Sequence, residues 1–333
     1  MDRSKTLFVA LAFAALALYP LAAGPFGIDL VTKTMIYAIF ALSLELLVGG
    51  TGLVCFGQAA FFGIGAYAMV LLSGSTAGAP SLAWLLPLCV LAAAAYALFV
   101  GSLSLRTQGV YFIMVTLAFA QMAYYVAHDT PLGGGTDGIY LSVVPTAGGL
   151  DLSRSPTFYG FALACLATVF GFLALLLRSR FGRALAGIRI NEQRMRATGF
   201  STYGYKLAAF VISGALAGLA GALFALKDGV VNPELMGWHL SGTVLVMVIL
   251  GGIGHLRGAL VGAFAFALLQ EFFKSEAIFG AFAKHWHLGL GLAIIASVAL
   301  LPRGIVGLPA QWKQRLTGRR AAAPVALVEA GHE

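Results

Sequence analysis

The sequence predicts an all-α integral membrane protein with about ten transmembrane spans, some of them short or broken. Hydrophobic residues make up 60% of the 333 residues and charged residues only 10%, whereas soluble domains carry about 25% charged residues. The mean hydropathy is +0.91. Glycine is abundant, with 42 residues, which suits close packing of helices in lipid. The basic residues are concentrated in loops between apolar segments, as in membrane proteins that follow the positive-inside rule.

Hydropathy divides the chain into ten candidate spans, several of which approach the roughly 20 residues that a helix needs to cross a bilayer. The first span follows the basic start MDRSK and imitates a signal peptide, but the topology below needs an uncleaved first helix, which we expect. The span 53–72 is interrupted by Gly57, Gly63 and Gly65, and 241–253 is short, so both are candidates for discontinuous or re-entrant helices. The ten spans are 7–23, 31–48, 53–72, 83–101, 110–127, 157–177, 207–226, 241–253, 258–273 and 286–301.

The loop 178–206, called the basic loop below, sets the predicted orientation. Seven basic side chains face a single acid, Glu192, so the loop is predicted to be cytoplasmic. Counting spans outward from it places both termini in the cytoplasm and the loop 128–156 outside. We therefore predict a transmembrane domain over 1–310 and a disordered cytoplasmic tail over 311–333. The basic side chains of the loop are those of Arg178, Arg180, Arg183, Arg189, Arg194, Arg196 and Lys206.

The middle of the basic loop, from Ala184 to Met195, is rich in helix formers and has no proline, which favours one short helix. Leu185, Ile188 and Met195 form a narrow apolar stripe on it. Two interpretations follow from the residues alone. The helix either rests on anionic lipid headgroups as an amphipathic connector or docks onto a cytoplasmic partner. The net charge of +8 does not indicate nucleic acid, because topology and membrane lipid account for where the basic residues lie.

The predicted external loop 128–156 is long for a connection. Its GGGTDG core, residues 133–138, supplies the glycines that tight turns with positive φ require. Either this loop is a flexible surface segment, or it is a platform that touches an external partner through residues such as Thr136 and Asp137.

Few polar groups lie inside the predicted spans. Glu45 is the one convincing acid in the middle of a span, and it is either a structural carboxylate bonded to a neighbouring helix or a group used in transport. An ion-coupled carrier usually needs a chain of such groups, so this scarcity argues against one. The sequence has no P-loop, zinc-protease or serine-hydrolase motif. Its three cysteines lack the spacing of a metal site, and no cofactor is expected in this chain.

Several segments, in order along most of the chain, resemble the LivM-type permeases, which are membrane subunits of ABC importers for branched-chain amino acids. The basic loop carries one of them, GRALAGIRINEQRMRATG at 182–199. The others include GLVCFGQAAFFGIGAYA at 52–68, LRTQGVYFIMVTLAFAQ at 105–121, GGTDGI at 134–139, SGTVLVMVILGGIGHLRGALVGA at 241–263 and LPRGIVGL at 301–308.

The resemblance implies the ABC importer permease fold and a set of partners. A periplasmic binding protein delivers the amino acid, and this chain pairs with a second, related permease. Two cytoplasmic ATPase subunits bind ATP and push on a coupling helix in the basic loop. The chain is then a transport subunit of a bacterial inner membrane and not an enzyme, and the docking interpretation of the basic loop is favoured.

The family's loop pattern is matched at Gly182 and at six positions that the resemblance assigns to ATPase coupling. Gly187 stands where the family has alanine, and Arg194 and Met195 replace an alanine pair. We expect Arg189 and Glu192 to make the main polar contacts with the ATPase, and Gly199 to end the helix in a left-handed cap. The six assigned positions are Arg183, Ile188, Arg189, Asn191, Glu192 and Gly199.

The translocation path is expected between the two permeases, lined on this side by 53–72 and 110–127, with Gln58 and Thr116 as the preferred polar pair. Three rival functions remain at this stage. One is an ion-coupled secondary carrier, another is a membrane enzyme, and the last is the same importer type carrying urea, short amides or aromatic acids.

Overall fold

The computed structural model describes residues 3–74, 81–143, 145, 154–275, 279–301 and 304–307. The predicted disordered tail, 311–333, and residues 146–153 of the predicted external loop lie outside these ranges. Within them the chain is helical except for connections and one two-stranded sheet. The helices are α1 Arg3–Ala22, α2 Pro25–Glu45, α3 Gln58–Gly74, α4 Leu82–Ser104, α5 Val110–Asp129, α6 Ser155–Arg178, α7 Arg180–Ile190, α8 Glu192–Ala197, α9 Thr202–Asp228, α10 Trp238–Gly251, α11 Leu256–Lys274 and α12 Trp286–Leu300.

The predicted class, an all-α membrane protein, is confirmed. In the described part of the chain, seven helices are long and apolar enough to cross a membrane, and three shorter apolar segments lie in α1, α3 and α10. Each of the ten candidate spans thus coincides with an apolar helix. Whether all ten cross the bilayer stays a prediction, because α10 has 14 residues, fewer than a full crossing needs.

The connection from α2 to α3 differs from the prediction. Helix α2 continues as a π-helix over Leu46–Thr51, which Gly52 ends with a φ of +77°, and residues 53–57 are not helical. Helix α3 then runs without interruption through Gly63 and Gly65, so the predicted breaks at these two glycines are wrong. A Cβ atom on Gly65 would lie 2.1 Å from the Gly218 carbonyl oxygen, which shows that this glycine allows two helices to touch.

Helix α9 lies at the centre of the bundle, packed against α2, α3 and α4. The small residues of this helix form a packing surface. Added Cβ atoms on Gly214 and Gly218 would lie 2.4 Å and 2.3 Å from the Cβ atoms of Ala97 and Ala93 on α4. A Cβ atom on Gly221 would lie 1.8 Å from the Phe62 carbonyl oxygen. Small residues therefore allow the helix backbones to approach one another closely.

The loops separate into two faces, as the charge pattern predicts. At the face that carries the basic loop, Tyr203 Oη donates to the Ser102 carbonyl at 2.9 Å. At the opposite face, strand β1 (Ile139–Tyr140) pairs antiparallel with β2 (Val230–Val231). An ion pair of 3.0 Å between Lys33 and Asp228 joins the start of α2 to the end of α9 there. These contacts group the loops as predicted, while the side on which the termini lie stays a prediction.

We expect a cysteine at Thr136 to react with an impermeant thiol reagent added outside cells, because Thr136 is exposed at the face opposite the basic loop. A matched cysteine at Gln193, exposed on α8, should react only after the membrane is opened. Both changes are made in a background from which Cys55, Cys89 and Cys165 have been removed. Reaction of the two sites in the reverse order would contradict the orientation.

Candidate functional site

The basic loop forms two helices, α7 and α8, where the sequence predicted one helix over Ala184–Met195. The chain turns at Asn191, whose φ of −156° and ψ of 100° are extended. Its Oδ1 accepts a hydrogen bond from the Arg194 amide at 2.9 Å, so Asn191 caps the start of α8. The single-helix prediction failed because asparagine competes for backbone amides and favours such a cap over a helix interior.

Gly199 ends α8 as predicted. Its φ is +88°, and its amide donates to the Arg196 carbonyl at 3.0 Å. The Phe200 amide donates to the Met195 carbonyl at 3.1 Å. This pair of bonds is a Schellman motif, which glycine adopts without a steric penalty.

Helix α7 packs against the membrane domain through its apolar stripe. Leu185 and Ile188 are buried, so Ile188, which the resemblance assigns to ATPase coupling, packs inside this subunit. The neighbouring Ile190 is 86% exposed and was missed by the sequence reasoning. The sequence could have indicated this exposed residue, because an isoleucine that lies off the apolar stripe of an amphipathic helix does not pack against the membrane domain. Arg183, Asn191 and Arg194 are also exposed.

Arg189 joins the basic loop to the membrane domain. Its Nη1 donates a hydrogen bond to the carbonyl oxygen of Gly49, in the π-helix that follows α2. Arg189 also lines a cavity of about 440 Å³ together with Glu45 and Gly254. A side chain predicted to reach outward to a partner is therefore bonded inward, to the end of a membrane helix.

Glu45 lies beneath α7 and is only 3% exposed. Its Oε1 accepts a hydrogen bond of 2.7 Å from the Gly254 amide, in the turn between α10 and α11. This bond fits the structural interpretation of the carboxylate. The other oxygen, Oε2, is buried and has no hydrogen-bond partner in the described part of the chain.

The Glu192 carboxylate makes all of its described hydrogen bonds within the subunit. Its carboxylate accepts hydrogen bonds from Lys206 Nζ at 2.8 and 2.9 Å, from Arg196 Nη2 at 2.7 Å and from Thr202 Oγ1 at 3.1 Å. The cluster ties α8 to the start of α9. This geometry argues against the predicted role of Glu192 as a main contact to the ATPase, because the carboxylate already accepts hydrogen bonds from three side chains of its own subunit.

The pKa of the Glu192 carboxyl reflects this cluster. Burial raises it, but the hydrogen bonds from Lys206, Arg196 and Thr202 outweigh burial, so the pKa lies below its ordinary value. A lowered pKa contributes stability that is complete above the ordinary value of about 4.3 and is lost as the pH falls through the lowered one. The cluster is thus fully charged at neutral pH.

We expect Glu192→Gln to loosen the basic loop. The change removes the charge that balances Lys206, whose side chain is 7% exposed. Breaking a fully buried pair costs about 3–5 kcal/mol, and the partial exposure of Glu192 reduces this to roughly 1–3 kcal/mol. Trypsin cleavage in the loop of the purified protein should accelerate about tenfold or more. Glu234→Gln, an exposed acid at the opposite face, is the control, and equal cleavage rates in the two variants contradict the expectation.

Gln58 and Thr116 are both fully buried. Gln58 Nε2 donates to Ser43 Oγ and Ser213 Oγ, each at 2.9 Å, and so joins α2, α3 and α9. Thr116 Oγ1 donates to the Ile113 carbonyl within its own helix. Neither side chain reaches a surface of the subunit, which argues against a position on a path between two subunits in this conformation. That role stays a prediction.

At the opposite face, Thr136 and Asp137 are exposed in a short 3₁₀ helix over Gly135–Asp137. The loop around them is held in place, because Tyr67 Oη donates to the Gly133 carbonyl at 3.2 Å and β1 is paired with β2. This part of the loop is therefore fixed by hydrogen bonds to the rest of the subunit. No group of three or more potential metal ligands occurs in the described part of the chain.

The fold defines a multi-pass, α-helical membrane protein with a structured basic loop at one face. The chain matches the family model described as the permease component of branched-chain amino acid transport systems over residues 26–298. It is 32% identical to the high-affinity branched-chain amino acid transport permease LivM of Escherichia coli K12 over 91% of this chain and 75% of that protein. LivM of Salmonella typhimurium is similar to the same extent.

A shorter similarity reaches the permease LivH of Escherichia coli K12, at 29% identity over 39% of this chain and 41% of that protein. No solved structure matches the chain. Since the family model covers most of the chain, this protein belongs to the permease-component family of branched-chain amino acid transport systems.

Proposed function

We propose that this chain is the membrane-spanning permease subunit of an ATP-driven importer of branched-chain amino acids. Its partners are a second, LivH-like permease, two cytoplasmic ATPase subunits that bind ATP, and a periplasmic binding protein, in a bacterial inner membrane with both termini cytoplasmic. The observation that carries the proposal is the basic loop, whose buried face is bonded to the membrane domain while its other face is exposed. The resemblance to LivM and LivH supports the substrate class and the paired permeases.

The exposed face of α7 and α8 is the proposed docking surface for an ATPase subunit. Ile190 offers an apolar anchor that is 86% exposed, next to the exposed side chains of Asn191 and Arg194. A push on this surface reaches the membrane domain through the bond from Arg189 to Gly49. Since Leu185 and Ile188 pack beneath the loop, the loop moves together with the helices under it.

The substrate path is proposed along the side of the subunit formed by α3, α4 and α5. An almost wholly apolar cavity of about 420 Å³ lies there, toward the face opposite the basic loop, between the two segments that the sequence assigned to the path. Its wall includes the exposed side chains of Phe99, Met122 and Val126, so it is open on the side that a second permease could cover. Apolar walls with few polar groups suit a hydrophobic amino acid.

We expect Ala123→Trp to lower the uptake rate by about tenfold or more, because its indole projects into this cavity and obstructs the proposed path. Ala167→Trp, on the exposed face of α6, is the matched control and should transport at nearly the unmodified rate. Initial rates of labelled leucine uptake in vesicles measure both. Equal rates for the two variants would place the path elsewhere.

The proposed function is tested by reconstituting the chain with the second permease, the ATPase subunits and the binding protein of the same organism. We expect leucine uptake that requires ATP inside the vesicles. Uptake without ATP, driven by an ion gradient, supports a secondary carrier instead. Import of urea, short amides or aromatic acids in preference to leucine assigns the same machinery to another substrate.

A further inference from the structure

The apolar cavity between α3, α4 and α5 is bounded at one end by connections between the membrane helices. Besides residues of the three helices, Thr130, Gly133 and Met236 line it. Thr130 and Gly133 lie in the connection that follows α5, and Met236 ends the 3₁₀ helix Pro233–Met236, which precedes α10. These connections belong to the face opposite the basic loop, so they form the outer end of the cavity.

Met236 packs into a gap that a glycine leaves on α3. Its side chain is 3% exposed. A Cβ atom added to Gly63 would lie 2.2 Å from Cγ of Met236 and 3.1 Å from its Cε, so only a glycine leaves room for the methionine here. A methionine side chain is unbranched, has three rotatable bonds and adapts to changing surroundings. The contact consists of apolar packing, which can be broken and remade without a change of charge.

Residues 230–236, called the gate segment below, carry this methionine and are joined to the external loop. Strand β2 of the gate segment pairs with β1 of the loop. The Leu141 amide donates to the Gly229 carbonyl at 2.8 Å, just before the segment. A Cβ atom on Gly138 would lie 2.2 Å from the Val231 carbonyl oxygen, so the two backbones are in direct contact. A displacement of the external loop is therefore passed to the gate segment.

A glycine stands at each end of the gate segment. Gly229 ends α9 with a φ of +70°, and no atom lies within 4 Å of a Cβ added to it. Gly237 directly precedes α10. Hinges are a few residues at the ends of elements that absorb changes in the backbone angles. These positions let the segment move relative to the two membrane helices that it connects.

We propose that Met236 is the outer gate residue of the substrate path. In the described conformation its side chain packs on Gly63 and bounds the path at the outer end. Docking of the binding protein onto the loop around Thr136 and Asp137 moves β1 and with it the gate segment. The methionine then leaves α3 and admits the amino acid. The inference rests on the proposed function, because it names the closure of the proposed path and the partner that releases it.

A disulfide between the gate segment and α3 tests the proposal. The Cβ atoms of Gly63→Cys and Met236→Cys would lie 3.4 Å apart, close to the separation of about 3.5–4.5 Å found in disulfides. The pair is introduced in a background without Cys55, Cys89 and Cys165. Oxidation should lower ATP-driven leucine uptake by the reconstituted complex at least about tenfold, because the gate cannot open, and reduction with dithiothreitol should restore it.

The matched control is a disulfide at the same face, away from the cavity. The Cβ atoms of Ala23→Cys and Gly27→Cys, at the start of α2, would lie 3.5 Å apart, and oxidation of this pair should leave uptake unchanged. Complete formation of the disulfide between positions 63 and 236 with unchanged uptake overturns the proposal. Failure of that pair to form a disulfide overturns it as well, because Met236 then does not lie against Gly63.

The rate of disulfide formation tests the release by docking. With a mild oxidant, the pair at positions 63 and 236 should cross-link severalfold more slowly when leucine-loaded binding protein is present, because the docked protein holds the gate segment away from α3. The pair at positions 23 and 27 should cross-link at the same rate with and without the binding protein. Equal rates for the first pair in the two conditions refute the link between docking and the gate.

A single substitution tests the gate without a cross-link. Met236→Ala removes most of the closing side chain, so leucine uptake in the absence of binding protein should rise severalfold. Met247→Ala is the control, because this methionine is equally buried on α10 but does not line the cavity, and it should leave this uptake at the unmodified level. Equal uptake by the two variants overturns the assignment of Met236.

The cysteine pair also separates this inference from the proposed function. ATP-driven import by the reduced pair that oxidation leaves unchanged refutes the gate and leaves the proposed function intact. Absence of ATP-driven import of any amino acid by the unmodified complex refutes the proposed function.

Discussion

Gly221→Leu is expected to prevent the membrane domain from folding. A Cβ atom at this position would lie 1.8 Å from the Phe62 carbonyl oxygen, 2.7 Å from its carbon and 3.1 Å from the Ala66 amide nitrogen. These are backbone atoms of α3, so no side-chain rotation removes the clash. Because α9 also packs against α2 and α4, these helices prevent α9 from shifting away from α3. The cost should exceed the ~1–3 kcal/mol that is typical of overpacking a core.

The measurement is the amount of monodisperse protein recovered from membranes in mild detergent, which should fall to a small fraction of the unmodified level. Gly160→Leu is the matched control, because Gly160 lies in a membrane helix, α6, with no atom within 4 Å of an added Cβ. It should be recovered normally. Full recovery of Gly221→Leu would mean that α3 and α9 are not in contact as described.

The helices themselves could be predicted from the sequence because a membrane span is encoded locally. A run of about 20 apolar residues has no other stable conformation in lipid, since every backbone group must be bonded within the segment. Each of the ten candidate spans accordingly coincides with an apolar helix. The separation of loops into two faces followed from the same local source, the distribution of basic residues.

The breaks predicted at two glycines of α3 were wrong because the structural role of a glycine in a membrane helix depends on which residues pack against it. Gly63 and Gly65 suggested a broken helix, yet α3 is continuous there, and Gly65 instead meets the backbone of α9 at Gly218. The actual irregularity, at 53–57, precedes the helix. A glycine inside a span permits either a break or a close approach, and only the neighbouring helix decides between them.

The cavity lined by Glu45 and Arg189 could not be predicted because it depends on contacts between distant parts of the chain. Arg189 and Gly49 are 140 residues apart, and Gly254 and Glu45 are 209 apart. Sequence reasoning singled out Glu45 and Arg189 separately, one as an intramembrane acid and the other as a docking residue. It gave no reason to place them around one cavity. It also predicted that Glu192 contacts the ATPase, whereas the carboxylate accepts a hydrogen bond from Lys206, 14 residues further along the chain.

Arg189→Glu is expected to abolish ATP-driven uptake while the protein still inserts into the membrane. The change removes the donor that binds the Gly49 carbonyl and places a second carboxylate in the cavity wall with Glu45. Like charges in one cavity wall repel each other, less where water reaches them. Helix α7 should therefore lift from the end of α2, so that a push by the proposed ATPase partner no longer reaches the membrane helices.

Labelled leucine uptake in reconstituted vesicles should fall to the level measured without ATP, while the amount of assembled complex stays near that of the unmodified protein. Arg106→Glu is the control, because it reverses an exposed charge in another turn that the charge pattern assigns to the same face, and it should leave uptake nearly unchanged. Because the proposed function assigns ATP hydrolysis to the partner subunits, we expect hydrolysis to persist in Arg189→Glu without transport, which separates lost coupling from lost assembly. Normal ATP-driven uptake in Arg189→Glu would show that the bond from α7 to α2 transmits nothing.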